Sequence, residues 1–212
     1  MPPRVETVAS FAKGLAVLRS FGAGARRQTI TDVAARTGLT RAGARRFLHT
    51  LVETGYARSD GKHFELTARV LEFGDAYVSG IDALATVRDV LHDLARDLGE
   101  TVSAAVLDGA DVVCVAGSPS AARRGPGSAI GERRPAESSA AGLALLARLS
   151  PKDLERFLRA AEARASAARA PAIREPLRAR LAEVREHGHA SVEAAGETGV
   201  HAFAVAVADH AA

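Results

Sequence analysis

Arg41, Arg45, Arg46 and His49 recur at a spacing that lines them along one face of a helix, and their chemistry is that of polyanion binding. A planar guanidinium can clamp a phosphate or read a guanine edge through two parallel hydrogen bonds. Between Arg19 and Arg46 seven arginines stand against a single acid, Asp32. Residues 1–80 carry 12 Lys/Arg against 7 Asp/Glu, and residues 81–212 carry 16 against 18, so the net charge of +3 belongs to one end of the chain. With 25 Arg to 3 Lys overall, arginine is abundant everywhere, and charge alone does not decide between a nucleic-acid surface and a solvated face.

Other chemistries find little support. Seven histidines offer only one close pair, His187-Gly188-His189, without a carboxylate or cysteine at metal-ligand spacing, so no metal site is expected. No nucleophile elbow or dinucleotide fingerprint appears. Gly125-Pro126-Gly127-Ser128 lacks the strand-to-helix setting of a phosphate loop, so no cofactor is expected either. Cys114 lies in an apolar, strand-like run where burial would make it inert. An enzyme acting on an acyl or aromatic acid, housed in residues 81–212, is the main alternative to a DNA-binding protein. A protein-interaction module is a third reading.

The bulk numbers fit one large or two small globular domains. The 212 residues are 47% hydrophobic and 25% charged, enough apolar surface for a core and no compositional sign of disorder. One cysteine excludes a disulfide scaffold and a zinc finger, and favours a reducing compartment. No apolar run reaches membrane-spanning length, and Met1-Pro2-Pro3-Arg4-Val5-Glu6 is not followed by a signal-peptide core, so a cytoplasmic protein is expected.

The elements that would position the arginines follow from caps and periodicity. Val8, Phe11, Leu15 and Leu18 give a first helix that Gly22-Ala23-Gly24 stops. Thr31 is expected to cap a short second helix through Thr37, ended by Gly38. Thr40 caps a third, whose stripe of Ala44, Phe47, Leu48, Leu51 and Val52 faces inward and leaves Arg41, Ala42, Gly43, Arg45, Arg46 and His49 outward. Tyr56–Ser59 and His63–Leu66 flank Asp60-Gly61-Lys62 as a hairpin. This is the winged helix-turn-helix order, in which the third helix enters the major groove. Gly43 would allow close approach to the DNA backbone. Lys62 at the wing tip, with Arg26 and Arg27 in the loop before the second helix, are further candidate contacts.

Thr67 opens a helix that breaks at Ser79-Gly80. We therefore expect a DNA-binding domain over 1–66, a linker helix over 67–80 and a second domain over 81–212. In the latter, Ile81–Leu98 is an amphipathic helix, Thr101–Leu107 and Val112–Val115 form a hairpin, and a short strand falls near Ala129-Ile130 in a Gly/Pro/Ser/Arg-rich loop over 118–137. Helices follow over Ser139–Arg148, from Ser150-Pro151 through Ala165, and over Arg174–His187, then strands at Ala190–Glu193 and Ala202–Val207. Strands, three helices and strands make an α+β domain.

Ser10–Leu18, Ile30–Ala34, Gly38–Arg41 and Leu51–Tyr56 with Phe64–Leu71 together resemble the N-terminal half of IclR-family transcription regulators, closest to those controlling protocatechuate and 4-hydroxybenzoate breakdown through the β-ketoadipate pathway. Leu107-Asp108-Gly109, Val112-Val113 and Arg134–Gly142 with Leu145–Ala147 resemble the effector half. The resemblance stops short of the family's last strand and helix. It implies a GAF-like effector domain, a homodimer or homotetramer on a pseudo-palindromic operator in double-stranded DNA, and a small carboxylate effector such as protocatechuate, 4-hydroxybenzoate or β-ketoadipate. It places the effector at Arg134, Ser138, Ser139, Ala140 and Ala141, opposite Cys114, Val192, Val200 and Ala202. A helix N-terminus suits a carboxylate physically. Glu137 puts an acid beside that place and calls for pairing by Arg133, Arg134 or Arg124.

Overall fold

In the computed structural model, which describes residues 6–22, 24–80, 83–119, 129–164, 173–193 and 200–208, the chain divides into two units, Met1–Tyr77 and Val78–Ala212.

Thr29, not Thr31, starts the second helix. Helix α2 (Ile30–Thr37) follows α1 (Ala9–Arg19), and Thr29 Oγ1 accepts from the Asp32 amide at 3.3 Å while Asp32 Oδ2 accepts from the Thr29 amide at 2.8 Å. This reciprocal box engages two amides that the first turn leaves without helical partners, which Thr31 could not do from inside the helix. Those same hydrogen bonds hold the Asp32 carboxyl below its ordinary range. Helix α3 (Arg41–Glu53) is capped by Thr40 as expected, its Oγ1 accepting from the Gly43 amide at 3.1 Å.

Strands β1 (Ala57–Ser59) and β2 (Phe64–Leu66) form the antiparallel wing hairpin. Gln28 adds a third, one-residue rung: its amide donates to Phe64 O at 3.0 Å and its carbonyl accepts from Phe64 N at 2.8 Å. Its buried side chain donates to Ser20 O at 3.1 Å, tying the end of α1 to the wing. Val17, Val33, Ala34, Ala44, Leu48 and Phe64 make the core. Full burial of side chains the size of Val17, Val33 and Leu48 contributes roughly 1.5–3 kcal/mol each. A 3₁₀ turn (Ala68–Val70) leads into α4 (Leu71–Ser79).

The second unit starts with α5 (Ala83–Leu98), then β3 (Val102–Asp108), β4 (Asp111–Ser118) and β5 (Arg133–Pro135), an antiparallel sheet in that order. The strand expected near Ala129-Ile130 is instead β5, since those two residues lie in a turn. The segment Arg-Arg-Pro has no apolar alternation; it is a strand because β4 offers it an edge, with Val112 opposite Arg134. A bulge shifts the β3/β4 register between Ala104 and Ala105, so Ala105 pairs with Cys114 but Ala104 with Ala116. The extra residue turns Val115 and Ala116 toward the α5 side, where they pack with Leu84 and Leu91, while Val112 packs on the opposite side.

That opposite side carries the larger core. A 3₁₀ turn (Ala136–Ser138) precedes α6 (Ala140–Ala147), followed by α7 (Pro151–Arg164), α8 (Arg174–His187) and a second antiparallel pair, β6 (Ala190–Glu193) with β7 (His201–Ala204). The last strand ends at Ala204, three residues before the expected Val207. Helix α6 is apolar all round, and six of its eight residues are buried, as its position between both sheets and α8 requires. Arg174 clamps α8 to α7 with paired contacts to Glu155 at 2.7 and 2.8 Å and to Glu162 at 2.9 Å each, which lower both carboxyls and raise the guanidinium.

Candidate nucleic-acid interface and effector face

Helix α3 presents two sides. Ala44 and Leu48 are fully buried, whereas Arg41, Ala42, Arg45, Arg46 and His49 are exposed and Gly43 is half-buried. The outward set named from the sequence therefore shares one free face. His49 lies toward the wing, its ring meeting Phe64 edge-on at 5.9 Å. A methyl group at position 43 would come within 3.2 Å of Thr40 Oγ1, so Gly43 also keeps room for the cap.

The three outlying basic residues differ in their freedom. Lys62 stands exposed at the hairpin tip, and Arg26 is exposed before α2. Arg27 is ion-paired with Asp60 across the wing, so its guanidinium holds the hairpin as well as facing solvent. Asp60 Oδ1 also accepts from the Lys62 amide at 3.0 Å and the His63 amide at 2.7 Å. These two backbone hydrogen bonds drive its carboxyl far below the ordinary range. Asp60 is a residue that sequence reasoning used only as a turn former; its charge organises the tip on which Lys62 sits.

In the second unit, Arg134 and Cys114 lie on the sheet face that packs against α6, since Arg134 pairs with Val112 and Cys114 with Ala105. Ser139 caps α6, its Oγ accepting from the Gly142 amide at 3.2 Å, with Ala140 buried, Ala141 half-buried and Ser138 exposed at the helix mouth. Val192 packs against the same core, Val200 is half-buried, and Ala202, paired with Val192, is exposed. Burial and the nearby Glu132 charge push the Cys114 thiol up, against any nucleophilic role.

The expected arginine partners of Glu137 are engaged elsewhere. Arg133 bonds Asp108 at 2.7 Å and reaches Asp111, and Arg134 contacts Glu132 at 3.2 Å; Arg124 lies outside the described residues. Glu137 Oε2 is buried without a hydrogen-bond partner. Two cavities among the described residues do not coincide with the expected effector set. One, about 160 Å³, is lined by Leu143, Arg180, Glu183, Val184, His187, His189 and Ser191. The other, about 400 Å³, lies between α6, α8 and Ala206. Arg134, Cys114 and the Ser139 cap share one sheet side that neither cavity includes.

Comparison with known proteins resolves the class. Residues 10–61 match the IclR helix-turn-helix domain, and residues 75–212 match the bacterial transcriptional regulator IclR C-terminal domain. The Pca regulon regulatory protein of Pseudomonas putida is 34% identical over 94% of this chain and 69% of its own. The p-hydroxybenzoate hydroxylase transcriptional activator of Acinetobacter baylyi is 40% identical over 66% of this chain and 53% of its own. A solved structure, a transcriptional regulator from Rhodococcus sp. RHA1, is 37% identical with a TM-score of 0.74, over 93% of this chain and 79% of its own. These matches are regulators, and the reading of residues 81–212 as an enzyme falls away.

Proposed function

Because the chain belongs to the IclR family of bacterial transcriptional regulators, we propose that it reads a pseudo-palindromic operator with two copies of α3 and changes its grip when a small carboxylate, aromatic or aliphatic, binds the second unit. The observation that carries the reading is the free arginine face of α3 set directly opposite its buried stripe. We divide the chain into a DNA-binding domain over 1–66, a linker helix over 67–80 and an effector domain over 81–212. Bases would meet Arg45 and Arg46, with Arg41, Ala42, Gly43 and His49 along the groove and the Thr40 end near a phosphate. Lys62, Arg26 and Arg27 would meet the flanking backbone.

One recognition helix spans only a few base pairs, so paired copies are needed for an operator of useful length. Exposed apolar residues on α1 (Phe11 and Leu15, with Val8 just before it) and on α4 (Leu71, Phe73 and Tyr77) support a homodimer paired through α1 or the linker helix, and such dimers can pair again into a tetramer. Working on chromosomal DNA places the protein in the cytoplasm, and among the described residues no helix is long and apolar enough to cross a membrane.

For the effector we propose protocatechuate, 4-hydroxybenzoate or β-ketoadipate, supported by the similarity to the Pca regulon regulatory protein and the p-hydroxybenzoate hydroxylase transcriptional activator. Arg134 would pair with the carboxylate near the α6 cap at Ser138, Ser139, Ala140 and Ala141, while Cys114, Val192, Val200 and Ala202 line the wall. The acid shifts operator affinity only insofar as it binds the two arrangements of the dimer differently. Calorimetric titration of the three acids into wild type and Arg134→Ala tests the site. At least one acid is expected to bind wild type and to lose about tenfold or more in Arg134→Ala, as for a charge-assisted pair. Equal binding by the two proteins would misplace the pocket.

A further inference from the structure

The end of the recognition helix is held by the start of the linker helix, and one arginine side chain reaches across that junction at two points. Arg69, in the turn before α4, donates from Nη1 to the carbonyl of Thr54, the residue that follows α3, at 3.0 Å. Its Nε lies 3.3 Å from Glu72 Oε1, and its guanidinium sits over the Tyr56 ring, 5.2 Å from the centroid. Tyr56 closes the circuit: its hydroxyl reaches Glu72 Oε2 at 3.3 Å, and its ring stacks on Phe73 at 5.2 Å and 19°. Beside this cluster Thr67 Oγ1 donates to Gly55 O at 2.6 Å and the Thr67 amide to Tyr56 O at 3.0 Å. Gly55 has φ +81°, and a Cβ there would stand 3.1 Å from Arg69 Nη1, so the turn leaves the space that the guanidinium fills.

Stability is a poor account of this arrangement. Arg69 and Glu72 are more than half exposed, and ion pairs so exposed contribute little to folding. What the contacts do provide is direction: the Arg69–Thr54 hydrogen bond, the guanidinium over Tyr56, and Tyr56's contacts to Glu72 and Phe73 bridge the end of α3 and the start of α4 and so orient one against the other. The lever is long enough to matter. A nine-residue helix spans about 14 Å, so a change of about 15° at its base moves its far end by about 3.5 Å. That displacement is about one base-pair step along DNA.

We propose that Arg69 is a positioning residue for operator reading: by locking α4 to the C-terminal end of α3, it sets the half-site spacing that the paired recognition helices accept. The inference rests on the reading of the protein as a dimer on two half-sites, paired through the linker helix, whose Leu71, Phe73 and Tyr77 are exposed.

The test uses the full chain on the operator mapped by footprinting upstream of its own gene. Duplexes with the mapped half-site spacing, with one or two base pairs inserted or removed, and with a single half-site are titrated against wild type, Arg69→Ala, Arg69→Lys and Glu72→Gln. Wild type is expected to lose about tenfold or more when the spacing changes by one base pair, a loss comparable to a mismatched base. Arg69→Ala is expected to keep its single half-site affinity within about twofold yet to discriminate between spacings by less than about threefold. Arg69→Lys, which can still donate to Thr54 O, should recover part of the discrimination. If Arg69→Ala does not fold, Glu72→Gln carries the test, with a partial loss of discrimination expected. Retained spacing discrimination in Arg69→Ala, or in Glu72→Gln where that variant stands in, overturns the proposal, as does a loss of single half-site affinity equal to the loss on the full operator. A wild type indifferent to spacing overturns the two-half-site reading itself, a result distinct from the other two.

Discussion

Gly142 and Ala136 meet backbone to backbone. A Cβ at position 142 would lie 2.1 Å from the Ala136 carbonyl oxygen and 2.4 Å from its Cα, so the 3₁₀ turn rests directly on the first turn of α6. No side chain has room there, and neither partner is a flexible tip that can swing away. Gly142→Ala is therefore expected to destabilise the second unit by about 1–3 kcal/mol or more, although alanine is the better helix former. Chemical denaturation of the two proteins checks it, and a difference below about 0.5 kcal/mol would show that the turn can retreat without cost.

The capping box makes a contrast between two neighbouring threonines. Thr29→Ala removes the side-chain acceptor for the Asp32 amide and should cost about 1 kcal/mol of stability in the first unit. Thr31, exposed within the helix, should tolerate alanine within about 0.5 kcal/mol. Equal costs in urea melts would contradict the placement of the cap at Thr29.

The pair shows how much of this protein is legible in its sequence. Local signals carry most of the first unit: Thr40, the Gly38 stop, the stripe through Ala44 and Leu48, and Asp60-Gly61 all act over a few residues, and each stands where expected. The cap moved by two residues because Ile30-Thr31-Asp32 and Thr29-Ile30-Thr31-Asp32 both supply a cap followed by an acid, and only the latter spacing lets Asp32 reach back. Strand β5 was not legible, since nothing in Arg133-Arg134-Pro135 encodes it apart from the β4 edge. Contacts between distant residues, Arg27 to Asp60 and Arg69 to Thr54, have no local signature at all. The candidate effector residues come from resemblance alone; the structure sets Cys114, Arg134 and the α6 cap on one side of the sheet without enclosing them.

Acid should loosen the wing. Backbone hydrogen bonds lower the Asp60 carboxyl in the folded state, while in the unfolded chain it titrates near pH 4. A carboxyl depressed by folding contributes stability above its unfolded value, and that contribution is lost as pH falls from there toward the folded one. Asp32 and Glu65, lowered by Thr29 and by the Arg58 hydrogen bond, act in the same direction. The melting temperature of Asp60→Asn is thus expected to lie below that of wild type at pH 7, with the gap closing progressively below about pH 4. A gap independent of pH would mean that the Asp60 charge does not hold the hairpin.

Arg45→Ala and Arg46→Ala should each weaken operator binding if the α3 face enters the groove, by about 1–3 kcal/mol for a two-pronged base contact. A residue that meets only phosphate should instead reduce the slope of log affinity against log salt by about 1, with sequence preference kept. Competition titrations against operator and scrambled DNA separate the two roles. Unchanged affinity in both variants would remove α3 from the interface.

The central claim, a DNA-binding regulator answering to a small carboxylate, is tested most directly by fluorescence anisotropy of the full chain on DNA from its own upstream region, titrated with salt in the presence and absence of protocatechuate. The account predicts tight, sequence-specific binding that falls steeply with salt and shifts when the acid is added. Specific binding that protocatechuate, 4-hydroxybenzoate and β-ketoadipate all leave unmoved would contradict the effector assignment, and no preference for the upstream DNA over scrambled sequence would contradict the claim as a whole.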